Sequence, residues 1–276
     1  MPTRISIVMP VYNAGQSLER ALRSAVAQTY RDVEIVVVDD GSTDARTLAI
    51  LEGASRRPGV TVHRTPNRGP SAARNLGVER AHGTYVLPLD ADDYLDPAFL
   101  AKTAPILDRT PDVGIVHTWI GLVGGHHGTW HTGPFTLDAL LVRCTIHVCS
   151  LYRRPVWDAV GGYDPRFVDT AEDWDFWLGA VSRGWKAECV PEVLAYYQRS
   201  PTSRERRARE PGTSARVMRT LVGKHRALYE AHLEDALAGL YEHLCETSLA
   251  LERLYDRRAI RLALRLRGLL RRPTAA

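Results

Sequence analysis

The sequence is poor in cysteine and lacks any long apolar run. Its four cysteines form no C-x-x-C pair and lack the spacing of a zinc site, which excludes a disulfide framework and a structural zinc. No apolar run approaches the roughly 20 residues that span a bilayer. The run at residues 5–9 is too short for the core of an export signal, and no small-residue cleavage site follows it. These absences predict a cytoplasmic protein with reduced thiols.

Two glycine-rich phosphate-binding motifs are also missing. The G-x-G-x-x-G of a dinucleotide-dependent dehydrogenase occurs nowhere, and neither does the P-loop. The first turn instead reads Pro10-Val11-Tyr12-Asn13. Aromatic and basic residues are not interleaved as they are in proteins that stack nucleic-acid bases, so no nucleic-acid partner is expected.

The net charge of +4 is unevenly distributed along the chain. Residues 199–276 hold 17 Lys+Arg and 9 Asp+Glu, a balance of +8, so the first 198 residues have a balance of −4. A basic C-terminal region favours anionic partners, although an Arg-rich helical surface in solvent has the same composition.

Strand and helix patterns alternate in the N-terminal third. Short apolar runs predict strands at residues 5–9, 33–38, 60–64 and 85–89, separated by helical spacing. This alternation indicates an α/β fold with a mostly parallel central sheet flanked by helices. Polar clusters follow three strands, at residues 10–13, 39–44 and 90–93, and should converge on one crevice at the carboxyl ends of the strands.

Two of these clusters are acidic. Asp90-Ala91-Asp92 follows a buried strand and could share a Mg²⁺ or Mn²⁺ ion with a diphosphate, although an isolated Asp-x-Asp is usually a solvated turn. The cluster at residues 39–44 has two readings. Asp44 or Ser42 could cap the next helix, and another carboxylate could accept a hydrogen bond from a base or a ribose hydroxyl.

Two further motifs carry charge on predicted helices. Pro70 can open a helix that places Arg74 about one turn in, where it could reach a phosphate or a uracil carbonyl, or form a surface salt bridge. Glu172 and Asp173 begin a helix predicted over residues 171–184, where acidic residues complement the helix dipole. Asp173 also lies beside Trp174, which suits a partly desolvated carboxylate acting as a general base.

Together these motifs resemble the inverting glycosyltransferases of family 2, whose fold is known as GT-A. The similarity covers about residues 5–198. It rests on Pro10-Val11-Tyr12-Asn13, Val38-Asp39-Asp40-Gly41-Ser42, Asn67-Arg68-Gly69, Ala73-Arg74-Asn75, Leu89-Asp90-Ala91-Asp92-Asp93, Gly161-Gly162-Tyr163-Asp164 and Glu172-Asp173-Trp174.

The resemblance implies a role for each motif. Asp173 would be the general base, and Asp92, with Asp90, would bind a divalent metal, Mn²⁺ or Mg²⁺. The donor would be a nucleotide sugar, most readily a UDP-sugar, and the enzyme would transfer a hexosyl or related group with inversion. The implied donor-binding residues are Pro10, Val11, Tyr12, Asn13, Asp40, Arg74, Asp90, Ala91 and Asp92.

The resemblance also suggests a division of the chain. Residues 1–200 would form the GT-A catalytic domain, with donor binding in about 1–110 and acceptor binding in about 111–200. Residues 201–276 would form a basic helical appendage. The acceptor could be a glycan, a lipid-linked molecule or a small molecule. For residues 257–272, three readings stay open: peripheral contact with the anionic inner face of a membrane, packing on the catalytic domain, and a homodimer contact.

Two positions depart from the family pattern. Gly179 stands where members often carry Arg, and Tyr197-Gln198-Arg199-Ser200 replaces a common Tyr-Arg-x-His. A third protein ligand to the metal is therefore left open, with Arg199 or the arginines at 204–209 as compensating charge. Two other functions also stay open: a nucleotidyltransferase, and a non-catalytic module that binds nucleotide sugars or other anions.

Overall fold

The computed structural model describes residues 3–125, 127–167, 170–199, 210, 212–256 and 262. The strands are β1 Ile5–Val11, β2 Val33–Asp39, β3 Val60–Arg64, β4 Tyr85–Pro88, β5 Tyr94–Leu95, β6 Val113–Gly124, β7 Gly128–Trp130, β8 Leu151–Arg153 and β9 Lys186–Arg199. The helices are α1 Ser17–Val26, α2 Ala45–Ser55, α3 Pro70–Arg80, α4 Phe99–Arg109, α5 Leu137–Val142, α6 Arg154–Val160, α7 Glu172–Val181, α8 Thr213–Lys224, α9 Arg226–Ala231 and α10 Leu233–Asp256. None of these helices is long and apolar enough to cross a membrane.

One mixed sheet with the order β3-β2-β1-β4-β8-β6-β9-β5 forms the centre of the fold, and β7 pairs with β6 at its side. The first four strands in this order are parallel to one another, as predicted. β8 then runs antiparallel to both β4 and β6, while β6 and β9 are parallel. The α/β class with a central sheet between helices is therefore confirmed, and the antiparallel pairs enter in the second half of the chain.

Strand β1 is buried on both faces of the sheet, as expected for a central parallel strand. Its side chains point to the two faces in turn. Ile5, Ile7 and Met9 pack with α1, α2 and α4 on one face, whereas Val8 packs with α3 and α7 on the other. A Cβ atom at Gly77 of α3 would overlap the Val8 side chain, so α3 lies against the sheet only because residue 77 is glycine.

In the second half of the chain the sequence also predicts a strand over residues 144–152, and this prediction is wrong for all but the end of the segment. Only Leu151–Arg153 forms a strand, and residues 144–150 are irregular. This segment buries His147 and Ser150, and the Ser150 hydroxyl donates a hydrogen bond of 2.7 Å to the His147 carbonyl. Because such local bonds compete with a sheet ladder, the segment stays irregular until β8 begins at Leu151.

The helices after residue 212 pack against α5 and α7. Asp175 of α7 is fully buried and accepts hydrogen bonds from Lys224 Nζ at 2.7 Å and His225 Nε2 at 2.8 Å. The Tyr229 hydroxyl donates to the Leu141 carbonyl at 3.0 Å. The segment 257–272, for which packing, membrane and dimer contacts were considered, lies outside the described residues except for Leu262.

Candidate active site

The loops after β1 and β2 are tied together by the side chain of Asn13. Its Oδ1 accepts hydrogen bonds from the backbone amides of Thr43 at 2.8 Å and Asp44 at 2.9 Å. The backbone amide of Asn13 donates to Ser42 Oγ at 3.0 Å. Asn13 has a φ of 46°, a conformation that asparagine adopts more readily than most residues. The two polar clusters thus form one rim at the carboxyl edge of the sheet, as predicted.

Of the two readings of the second cluster, the structure confirms the helix cap, which Asp44 provides, and it shows Asp40 binding a neighbouring loop. Asp44 caps α2, accepting from the Thr47 amide at 2.7 Å. Asp40 is buried and accepts from the amides of Arg68 at 2.9 Å and Gly69 at 2.8 Å, which fixes the loop before α3. The Asp40 carboxylate is therefore held in place by two backbone amides.

Tyr12 is the exposed aromatic residue of the rim. Its side chain is 53% exposed, whereas Pro10 and Val11 are buried as the last residues of β1. A flat ring held at a strand end is free to stack on a planar ligand. Pro10 and Val11 would then shape the floor beneath that ligand.

Three carboxylates gather after β4. Ligand oxygens of Asp90, Asp92 and Asp93 all lie within 4.8 Å of one another, with Asp92 exposed, Asp90 partly buried and Asp93 buried. Burial raises the pKa of Asp93 well above its usual range, and the charges of Asp92 and Asp90 raise it further. Ala91 lies between Asp90 and Asp92 in the chain, and its side chain is buried in the core, which anchors the turn.

The donor set at this turn fits a divalent cation. Hard oxygen ligands at such spacing suit Mg²⁺ or Mn²⁺, and a cation would relieve the repulsion among the three carboxylates. Asp93 Oδ2 is buried and accepts no hydrogen bond from any residue that the structure describes; the nearest ring nitrogen, His147 Nε2, is 3.6 Å away.

Residues of strand β9 and helix α1 form hydrogen bonds with the acidic turn. The backbone amide of Gln198 donates to Asp93 Oδ1 at 2.9 Å. Arg20 donates to the Asp92 carbonyl at 3.1 Å and to Gln198 Oε1 at 2.8 Å. Asp93, His147 and Arg20 were not predicted as site residues. Asp93 could have been found from the run of three aspartates in four residues, but no local pattern marks His147 or Arg20.

Arg74 connects the acidic turn to the start of α7. Its guanidinium is 1% exposed and donates to Asp90 Oδ1 at 2.5 Å and to Glu172 Oε1 at 2.8 Å. Burial by itself would lower the pKa of Arg74, but the two carboxylates outweigh it and raise the pKa well above its usual value. Arg74 thus joins motifs 98 residues apart in the chain.

Asp173 lies directly after this ion pair. Burial raises the pKa of Asp173 from 3.8 to about 7, and the neighbouring Glu172 charge adds to the rise. The preceding Ala171 has a φ of 71°, a left-handed conformation that is costly for alanine. Such strain is found most often at active sites, where the surrounding fold holds a residue in place.

The two positions that depart from the family pattern have different surroundings. Gly179 is buried on α7, where an added Cβ would lie 3.1 Å from a methyl carbon of Val160. The neighbouring helix α6 thus fills the space around this position. Ser200 and the arginines at 204–209 lie outside the described residues.

A crevice with these motifs at the carboxyl edge of an α/β sheet has a match among known families. The family model of Glycosyl transferase family 2 matches residues 6–161, more than half of the chain. The chain belongs to this family. The predicted family resemblance is therefore confirmed, and the protein is a glycosyltransferase.

Two relatives illustrate the extent of the similarity. A PGL/p-HBAD biosynthesis glycosyltransferase of Mycobacterium bovis (strain BCG) is 36% identical over 175 residues, which are 62% of this chain and 67% of that protein. An uncharacterized glycosyltransferase of Haemophilus influenzae is 44% identical over 92 residues, which are 33% of this chain and 37% of that protein.

Solved structures with the same fold cover most of the chain. TarS from S. aureus (residues 1–349) has a TM-score of 0.68 at 24% identity, over 86% of this chain and 70% of that chain. The mannosyltransferase PcManGT from Pyrobaculum calidifontis, in complex with GDP-Man and Mn²⁺, has a TM-score of 0.62 at 20% identity, over 95% and 83%. The GT-A fold of this family is thereby confirmed for the chain.

Proposed function

We propose that this glycosyltransferase uses a divalent metal and a nucleoside-diphosphate sugar, and transfers the sugar to an acceptor hydroxyl with inversion at the anomeric carbon. The observation that carries the proposal is the bridge made by Arg74. By contacting both Asp90 and Glu172, Arg74 holds the acidic turn beside Asp173. A group suited to binding a diphosphate and a group suited to removing a proton thus share one crevice.

The donor base would lie on the rim after β1. Tyr12 offers an exposed ring for stacking, and Asn13 and Asp40 hold the surrounding loops in place. Pro10 and Val11 form the floor. UDP is the expected nucleotide, since TarS with the same fold has been solved with UDP-GlcNAc. GDP is the competing expectation, since PcManGT was solved with GDP-Man.

Asp92 and Asp90 would bind the metal, with Asp93 completing the acidic set. The cation, when bound, neutralises charge on the diphosphate as it departs. Arg74 would act mainly by fixing Asp90, because both of its terminal nitrogens already bind carboxylates. A direct contact between Arg74 and the diphosphate would require one of these ion pairs to open.

Asp173 would be the catalytic base. Its carboxylate accepts the proton of the acceptor hydroxyl while that oxygen attacks the anomeric carbon from the side opposite the nucleotide. A base whose pKa is about 7 is well matched to this transfer near neutral pH. A single displacement of this kind inverts the anomeric configuration.

The chain would divide as its sequence predicts, with donor binding in about 1–110, acceptor binding in about 111–200 and a helical region from 201. The loop at 144–150 reaches the acidic turn through His147, and Trp130 of the hairpin β6–β7 lies edge-on to the His147 ring. They are the expected determinants of the acceptor, whether it is a glycan, a lipid-linked molecule or a small molecule.

The proposal is tested by incubating the protein with Mn²⁺ and a panel of nucleotide sugars, and measuring the nucleotide released. We expect free nucleoside diphosphate from one donor, and at least a hundredfold less from Asp173→Asn, which keeps the shape of the side chain but cannot accept the proton. Asp173→Asn should bind the donor as the wild type does. Full activity in this variant would rule out Asp173 as the base, and release of pyrophosphate would indicate a nucleotidyltransferase.

A further inference from the structure

Helix α10 carries a regular row of exposed leucines. The row follows alternating steps of four and three residues: Leu233, Leu237, Leu240, Leu244, Thr247, Leu251 and Leu254. The six leucines are 43–58% exposed. Thr247 satisfies its hydroxyl within the helix, donating to the His243 carbonyl at 2.8 Å, which leaves its methyl group on the row. This is the a/d pattern of a coiled coil, sustained over more than three heptads.

The side of α10 about a quarter turn around the helix from this row already has a partner. The partly buried residues of its first half are Ala236, Gly239 and His243, which lie three and four apart. A Cβ atom at Gly239 would lie 2.9 Å from the Val142 side chain of α5, and His243 Nδ1 is 3.2 Å from a guanidinium nitrogen of Arg143. The helix therefore packs on α5 through Ala236, Gly239 and His243, and its leucine row lies beside this contact and remains exposed.

The leucine row runs along the whole of α10, which is typical of an interface and not of apolar residues scattered singly on a surface. A helix of 24 residues is about 36 Å long at about 1.5 Å per residue. Monomeric proteins rarely expose a continuous apolar patch of more than a few hundred Å². Six leucines along this length form an exposed apolar strip that only Thr247 interrupts.

The charge of α10 argues against an anionic membrane as the partner. The helix holds one basic residue, Arg253, and six acidic ones: Glu234, Asp235, Glu242, Glu246, Glu252 and Asp256. Helices that lie on anionic lipid have Lys and Arg on the polar face. In the sequence the leucine repeat also ends with α10, because the next positions of the heptad are Arg258, Arg261 and Arg265.

We propose that α10 pairs with α10 of a second copy of this chain in a two-stranded coiled coil. The knobs of each leucine row would fill holes between leucines of the other, and a second α10 carries a matching repeat over the full row.

The test compares two matched substitutions in the full-length protein by sedimentation equilibrium over a wide range of concentration. Leu244→Glu places a charge at the centre of the row, and Leu249→Glu makes the same change at an exposed leucine outside it. We expect the wild type and Leu249→Glu to be dimers, and the dissociation constant to rise about a hundredfold or more in Leu244→Glu. Leu244→Ile, which keeps an apolar residue at the same position, should remain a dimer.

Three results would overturn the proposal. The first is a wild-type chain that is monomeric at every concentration. The second is an equal loss of the dimer in Leu244→Glu and Leu249→Glu. The third is a monomer that co-sediments with phosphatidylglycerol vesicles and is released from them by Leu244→Glu, which would make lipid the partner of the row.

Discussion

Asp173 combines a catalytic requirement with a cost to the folded state. Burial raises its pKa to about 7, so the carboxylate form required of a base becomes dominant only above neutral pH. We expect the transfer rate to rise with pH and reach half of its maximum near pH 7, measured with saturating donor. A rate that is flat between pH 5 and about 9 would show that no group with this pKa limits transfer.

The raised pKa of Asp173 also affects stability. With rising pH the transfer rate increases, whereas the contribution of Asp173 to the unfolding free energy decreases. Between the unfolded pKa near 3.8 and the folded value of about 7, the folded state binds more protons than the unfolded state. The contribution of Asp173 therefore favours folding at low pH and is lost as the pH rises through about 7. Asp173→Asn should flatten this part of the dependence of unfolding free energy on pH, measured by urea titration.

Arg74 is expected to be the most sensitive residue of the site with respect to folding. Arg74→Met would leave the carboxylates of Asp90 and Glu172 without their buried partner, at a cost of about 3–5 kcal/mol in unfolding free energy. The control is Arg56→Met, which removes an exposed ion pair with Glu52 and should cost at most about 1 kcal/mol. Urea titration measures both, and equal effects would show that the Arg74 bridge is not structural.

The predictable part of the site follows from local chemistry. Asp40, Asp90 and Asp92 directly follow apolar strands, so their place at one edge of a parallel sheet could be read from the sequence. The pairing of Arg74 with Glu172 could not, because it joins residues 98 positions apart and depends on the path of the chain between them. The support of Asp93 by Gln198 is hidden for the same reason, since the two residues are 105 positions apart.

Helix α7 links the catalytic crevice to the C-terminal helices. Its first turn carries Asp173, and two residues later the buried Asp175 binds Lys224 and His225 at the end of α8. Lys224 also lies 3.0 Å from Asp164. The ammonium group of Lys224 thus links α8 to two carboxylates of the catalytic part, those of Asp164 and Asp175.

The role of this link is tested by Lys224→Met. Losing charged hydrogen bonds in a partly buried setting should cost about 2 kcal/mol of unfolding free energy and speed amide hydrogen exchange in α8. Arg226→Met is the control, since Arg226 is exposed and contacts only Glu230 within its own helix among the described residues. Unchanged exchange in α8 after Lys224→Met would show that apolar packing alone holds the helix.

Elements were predicted well where one periodicity continues over several residues. The alternating strands and helices up to β4 have the expected places, and Pro70 begins α3 as predicted. The segment at 144–150 was wrong because its buried polar side chains bond locally, which no count of apolar residues reveals. The short strands β5, β7 and β8, with at most three residues each, contain too few residues to show a period.

At the scale of the whole molecule, the candidate donor site lies at one edge of the sheet, whereas the C-terminal helices pack on other helices. The acidic turn lies at the carboxyl end of β4, and α8–α10 pack on α5 and α7. In the C-terminal region, residues 199–232 have a balance of +6 and residues 257–272 hold seven arginines, while α10 has a balance of −5. A single charge for the whole region therefore hides an acidic helix between two basic segments.

The central claim is that a nucleoside diphosphate and a divalent cation bind together at the acidic turn. The most direct measurement is the thermal unfolding midpoint with UDP, with Mn²⁺ and with both, for the wild type, Asp92→Ala and Asp112→Ala. Asp112 is the control because its carboxylate is exposed and bound to Lys186, away from the crevice. We predict a rise that requires UDP and Mn²⁺ together, is lost in Asp92→Ala and is kept in Asp112→Ala. The absence of a metal-dependent rise with UDP, GDP or dTDP in the wild type would contradict the account.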